Sequence, residues 1–172
     1  MGVRLKKRPK SVRYISQRNR YSCGPIAILN IMKWAGYDVT YKYLGTLKKY
    51  CGTTRQGTKE SGLVSGLNKF QLLVTKYYSR VTAKVLESYI NSGYVAILLI
   101  SKWNNDNIPE RHYLSIVGKQ VKYTNIFYKV INYGPEGTVV WVSRKKLIRL
   151  FNRSLKGQRH PKAWFIRRRD RQ

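Results

Sequence analysis

The chain predicts an α+β fold, a buried central helix packed on a mostly antiparallel sheet. Three observations predict it. The run Ile26-Ala27-Ile28-Leu29-Asn30-Ile31-Met32 is apolar on nearly every face, so its helix belongs inside the protein. Tyr94-Val95-Ala96-Ile97-Leu98-Leu99-Ile100 is a continuous apolar run of strand length, the pattern of a central strand. Helical patterns come first and strand-like segments follow, with helices interspersed. At 172 residues one domain is the default, and it is large enough to bury a real core.

Each element has a local reason. Tyr14 to Gln17 is a short strand or an extended lead-in. Pro25 suits the first position of the opening helix, where its missing N–H costs nothing, so that helix is expected from about Pro25 to Ala35, with Gly36 as its stop. Thr40 can cap a second helix, with Tyr41, Leu44, Leu47 and Cys51 on one stripe. Thr53 to Thr58 is a polar loop, and a third, short helix turns Leu63, Leu67 and Phe70 inward. Leu72 to Tyr78 reads as a strand. Thr82 caps a fourth helix bearing Val85, Leu86, Tyr89 and Ile90, and Gly93 ends it. After the apolar strand comes a polar loop, Ser101 to Arg111. His112 to Val117 and Ile126 to Ile131 are strand-like and joined by a turn over Lys119 to Asn125. Tyr133 to Gly137 is a tight turn and Thr138 to Val142 a strand. Ser143 caps a last helix with Leu147, Ile148, Leu150 and Phe151, and Ala163 to Ile166 forms a final short strand. The organisation expected is a basic arm over residues 1–13, one domain over 14–166 and a basic tail over 167–172.

The charge is extreme: 35 Lys and Arg against 7 Asp and Glu, a formal net charge of +28. Such a chain is drawn to polyanions, and nucleic acid, an anionic membrane surface or an acidic protein would each serve. Twenty of the 35 basic residues lie at or before Arg20 or at or after Arg144, so the termini are the expected contact for nucleic acid or another polyanion. No base-reading motif is present, so contact would be mostly to phosphate. Two cysteines, Cys23 and Cys51, are too few for a disulfide framework or a thiol-rich zinc site. The basic start lacks the apolar segment of a signal peptide, and the longest apolar stretch, Tyr94 to Ile100, is too short to span a membrane. The expectation is a soluble cytoplasmic protein, or a component of a particle assembled inside a cell, as a phage product would be.

The chemistry concentrates at Ser22-Cys23-Gly24-Pro25. Cys23 stands at the mouth of the buried helix, where orphan N–H groups and the positive end of the dipole favour a thiolate. A thiol nucleophile needs a base, an orienter for the base and donors for the developing oxyanion. His112, opening a strand, is the candidate base. Asn132, ending the paired strand, can present its side-chain amide to His112. Gln17, six residues before Cys23, can share oxyanion binding with the Cys23 N–H.

Gln17-x5-Cys23-Gly24-Pro25, then His112-Tyr113-x-x-x-Val117-Gly118, then Asn132 before a glycine-containing turn, resembles the papain-like cysteine peptidases related to the bacteriocin double-glycine leader peptidases, the C39-like family. The resemblance covers about Gln17 to Phe151. It implies a papain-like fold and a cysteine peptidase that cuts a peptide or isopeptide bond through a thioester acyl-enzyme, without metal or cofactor. It implies Cys23 as nucleophile, His112 as base, Asn132 as orienter and Gln17 in the oxyanion hole. Family members cut leader peptides after double glycine, often as the N-terminal domain of an export ATPase. Here no Gly-rich ATP-binding motif is present, and Asn132-Tyr133 stands where the family more often has Asp followed by Pro. The same triad can run deamidation or acyl transfer, and a non-catalytic polyanion binder could use the same fold. Substrate and oligomeric state are not written in the sequence.

Overall fold

The computed structural model describes residues 12–70, 73–103, 109–132, 139–156 and 160–168. Its centre is a six-stranded antiparallel sheet in the order β1-β6-β2-β3-β4-β5. The strands are β1 (Leu73–Tyr78), β2 (Val95–Trp103), β3 (Pro109–Lys122), β4 (Asn125–Ile131), β5 (Val139–Ser143) and β6 (Lys162–Arg168). Helices α1 (Cys23–Trp34), α2 (Leu44–Tyr50) and α3 (Glu60–Asn68) cover one face, and α4 (Ala83–Asn91) and α5 (Arg144–Lys156) the other.

Two covered faces explain the unbroken apolar run of β2. Val95, Ile97 and Leu99 enter the core under α1, while Ala96, Leu98 and Ile100 enter the core under α4 and α5. Helix α1 is buried along its length except at Lys33. Its Ile26, Ile28, Leu29, Ile31 and Met32 are fully buried. At roughly 1.5–3 kcal/mol for each such side chain, burial outweighs any helix-cap contribution to holding α1 in place.

Close approach decides the packing of α3. A Cβ on Gly62 would lie 2.0 Å from the Cys51 carbonyl oxygen, and one on Gly66 would lie 2.5 Å from Cys51 Sγ and 2.8 Å from Ile28 Cδ1. The two glycines, one turn apart, let α3 touch the end of α2 and the side of α1 together. The same burial pushes the Cys51 thiol up to about 12, which leaves it a neutral core group.

The structure sharpens several expectations. Helix α1 starts at Cys23, two residues before the expected Pro25. The 3-10 turn Tyr41–Tyr43 precedes α2, and Thr40 makes no side-chain cap. Thr82 does cap α4, accepting from Val85 N–H at 3.2 Å. Both ends of the expected loop over Ser101 to Arg111 are strand, because β2 runs on to Trp103 and β3 starts at Pro109, while residues 104–108 lie outside the described residues. The expected turn over Lys119 to Asn125 shrinks to Tyr123 and Thr124, since Lys122 pairs with Asn125. These polar ends read as loops because they carry no apolar alternation, but cross-strand pairing extends them. The last strand lies between β1 and β2 and reaches Arg168, past the expected domain boundary at 166. The turn over Tyr133 to Gly137, residues 1–11 of the expected arm over 1–13 and residues 169–172 of the expected tail over 167–172 lie outside the described residues.

Gly62→Ala should lower stability by about 1–3 kcal/mol or more, because a backbone oxygen blocks the new methyl. Gly45→Ala, in α2 with nothing within 4 Å of the added carbon, should raise it by up to about 1 kcal/mol. Thermal denaturation of both variants checks the opposite signs. Glu60 joins α3 to Arg111 on β3 at 2.9 Å and to Lys162 on β6 at 2.8 Å. Burial alone would raise its pKa, but these two cations outweigh it and hold the carboxyl below its ordinary value. Its stabilisation is therefore full above the unfolded carboxyl value and lost as pH falls through the depressed one. The stability gap between wild type and Glu60→Gln, followed by denaturant titration, should be present at neutral pH and close under acid.

Candidate active site

Helix α1 and strand β3 run side by side, and Ser115 Oγ donates to the Ala27 carbonyl at 3.4 Å. Cys23 lies about one helical turn before Ala27. His112 lies three residues before Ser115 on a strand rising about 3.3 Å per residue. The shared direction brings both residues to one end of the helix–sheet interface. The Tyr113 hydroxyl donates to the Thr58 carbonyl at 3.4 Å, and Thr58 packs against Gly24, so the residue after His112 reaches the mouth of α1.

Cys23 is the first residue of α1 and is 5% exposed. Ser22 occupies the cap position, but its hydroxyl does not cap the turn. It donates instead to Asn19 Oδ1 at 2.6 Å. The cap side chain therefore leaves the first-turn N–H groups to Cys23 and whatever meets it. Gly24 is required by space: a Cβ there would lie 2.9 Å from Thr58 Cβ and Oγ1. Its absence lets the Thr53–Thr58 loop close against the helix mouth.

His112 is half-buried, and its Nε2 donates to the backbone carbonyl of Asn132 at 2.7 Å. A carbonyl only accepts, so Nε2 carries the proton and the neutral ring keeps Nδ1 as its acceptor. The expectation was an orienting side-chain amide; the hydrogen bond is made by the main chain of the same residue. Ladder pairing ends at Ser115 and Ile131, and Asn132 takes a left-handed φ of +64°. That turn frees its carbonyl from the ladder, and asparagine tolerates the conformation better than most residues. The buried Asn132 amide donates to Gln17 Oε1 at 2.8 Å and to the Tyr113 carbonyl at 3.1 Å, while its Oδ1 has no hydrogen-bond partner among the described residues.

Gln17 thus lies in the same network as Asn132. Its Nε2 donates one proton to the Asn19 carbonyl and retains a second. A continuous path runs from the His112 ring through Asn132, Gln17 and Asn19 to Ser22, the residue before Cys23. Of the four residues expected from the sequence, hydrogen bonds join His112, Asn132 and Gln17 directly, and Cys23 follows Ser22 at the end of the path.

The sequence reading missed Asn30. This fully buried α1 residue accepts from Ile15 N–H at 2.7 Å and donates to the Ile15 carbonyl at 2.9 Å. One amide therefore holds the lead-in segment two residues from Gln17. The signal was present, since a lone polar residue in an otherwise apolar run demands partners. Among the described residues no group of three His, Cys, Asp or Glu could hold a metal, and no helix is long and apolar enough to cross a membrane.

Residues 11–154 match the model of the Peptidase C39 family, so the chain belongs to that family and is a cysteine peptidase. Two solved structures share the fold. The peptidase domain of Streptococcus ComA, a bifunctional ABC transporter involved in quorum sensing, is 16% identical, with a TM-score of 0.62 over 90% of this chain and 98% of that one. A double glycine motif protease from an AMS/PCAT transporter, in complex with the leader peptide, is 17% identical, with a TM-score of 0.55 over 94% and 96%. No curated protein matches the sequence.

Asn30→Leu should cost about 1–3 kcal/mol for each Ile15 backbone group it strands. It should also raise hydrogen exchange at Ile15 far more than within α1. Amide exchange with mass spectrometry checks this, and unchanged protection at Ile15 would show that Asn30 does not hold the segment.

Proposed function

We propose that the chain cleaves a peptide or isopeptide bond through a thioester acyl-enzyme, with the bond after a pair of glycines as the favoured site. The observation that carries this reading is the hydrogen-bond path linking the His112 ring to the cap of the cysteine helix. The nearness of this family to a protease solved with a leader peptide supports the choice of bond.

In the proposed step His112 Nδ1 takes the Cys23 proton as Sγ bonds to the scissile carbonyl carbon. The carbonyl oxygen gains the negative charge, and the second Gln17 Nε2–H with the α1 first-turn N–H groups stabilises it. As the oxyanion collapses, the C–N bond breaks and the amine leaves with the proton held by His112. Water then attacks the thioester, His112 takes its proton, and thiol and carboxylic acid are released. The Asn132 carbonyl holds Nε2–H and so keeps Nδ1 directed at the reaction. Deamidation or acyl transfer would share the thioester and differ only in which amide is attacked and which acceptor resolves it.

A peptide ending in Gly-Gly-aldehyde tests the reading: it should modify Cys23 reversibly in wild type and fail in His112→Ala. Gln17→Ala should lower turnover by roughly 10²–10³. Its Cys23 should still react with iodoacetamide at close to the wild-type rate, because alkylation forms no oxyanion. Stopped-flow labelling beside single-turnover cleavage separates the two. Parallel loss of both rates would remove Gln17 from the oxyanion hole and make it a packing residue.

A further inference from the structure

The mouth of the helix carries a charged strip that the mechanism does not use. Arg18, Arg20 and Tyr21 lie on the loop into α1, and Tyr41, Lys48 and Lys49 on the 3-10 turn and α2. The two segments are clamped twice. The Arg18 guanidinium lies over the Tyr41 ring at 4.5 Å, and the Lys48 ammonium over the Tyr21 ring at 4.6 Å. Arg18, Arg20 and Lys49 are exposed and Lys48 is half-exposed. The strip borders the nucleophile. Tyr21 is two residues from Cys23, hence within about 8 Å along the backbone, and Arg18 adjoins Gln17.

Little opposes this charge. From Arg13 to Lys59 the chain has nine Lys and Arg and one acid, Asp38. The next acid, Glu60, is taken by Arg111 and Lys162. The clamps also give the cations fixed places. A guanidinium lying on a ring keeps its in-plane N–H groups, which match a carboxylate two at a time. Much of the ordering cost of binding is then met before a ligand arrives.

We propose that this strip docks an acidic segment of the polypeptide substrate and so selects acidic sequence on one flank of the scissile bond. The inference rests on the peptidase reading above. Two observations favour a polypeptide over a nucleic acid. The strip adjoins the cysteine across which a substrate chain must pass. One face of each of the Tyr21 and Tyr41 rings is taken by Lys48 and Arg18, which leaves less ring surface for base stacking.

The test uses the full chain and internally quenched peptides with a central Gly-Gly and a block of glutamates, glutamines or lysines on either flank. With glutamates on one flank, kcat/KM should exceed that of the glutamine peptide by about tenfold in about 50 mM salt. The advantage should shrink to about twofold in about 500 mM salt. In Arg18→Gln/Arg20→Gln/Lys48→Gln/Lys49→Gln the ratio of glutamate to glutamine peptide should fall to about one, whatever the absolute rates. Lys145→Gln/Arg149→Gln, on the exposed side of α5, should keep the ratio. The same peptides are titrated by anisotropy against Cys23→Ala. Glutamate-selective binding without cleavage would sink the Gly-Gly reading and leave the strip standing. No glutamate preference in wild type, or one lost with the α5 variant and kept in the strip variant, would overturn the proposal. So would a thymidine oligonucleotide that binds Cys23→Ala more tightly than the glutamate peptide and loses that binding in the strip variant, because the strip would then be a nucleic-acid interface.

Discussion

The arrangement depends on one buried amide. Asn132 stands where β4 leaves the ladder, fully buried and in left-handed backbone. Its main chain holds the His112 ring, and its side chain holds Gln17 and the carbonyl of Tyr113. Three segments distant in sequence, the lead-in, β3 and the end of β4, meet on one residue. Polar contacts in a low-dielectric interior are strong when satisfied and expensive when broken, so a junction of this kind permits few alternatives. The amide has turned its donor to two acceptors, the Gln17 side chain and the Tyr113 carbonyl, so both of its protons are used within the junction.

Asn30 does for the lead-in what Asn132 does for the sheet. It meets both polar groups of Ile15 from inside an apolar helix. Gln17 is therefore fixed from two sides, by the peptide two residues earlier and by the Asn132 amide. Geometry that must be held to fractions of an ångström belongs on rigid elements, and here α1 and the sheet supply them.

Much of this was legible in the sequence. Cys23 could be read because Pro25 and the apolar run after it define a helix start, and helix starts have known electrostatics. β2 could be read because a strand covered on both faces has no polar alternation. The Asn132 main-chain role could not be read, since it depends on a backbone torsion that residue type permits and does not dictate. Asn30 was legible as a polar residue in an apolar run, but its partner, Ile15, is set by tertiary packing. The turn between β3 and β4 was legible, but its tightness at Tyr123 and Thr124 was not. A fully exposed tyrosine with φ of +54° stands where glycine or asparagine would announce such a turn. The place of β6 was hidden most deeply, because strand order is a long-range property that no local pattern records.

That strand order has a consequence for the life of the chain. Strand β1 is an edge strand whose one neighbour is β6, and β2 lies between β6 and β3. Residues 73–78 therefore wait for residues 162–168 before they gain a partner. Pairing across such a separation carries a large loop-closure cost and is slow to form. During synthesis the cysteine helix and the histidine strand emerge well before the sheet beneath them can close. The six-stranded order therefore becomes complete only after translation has passed residue 168, and until then β1 stays an unpaired edge.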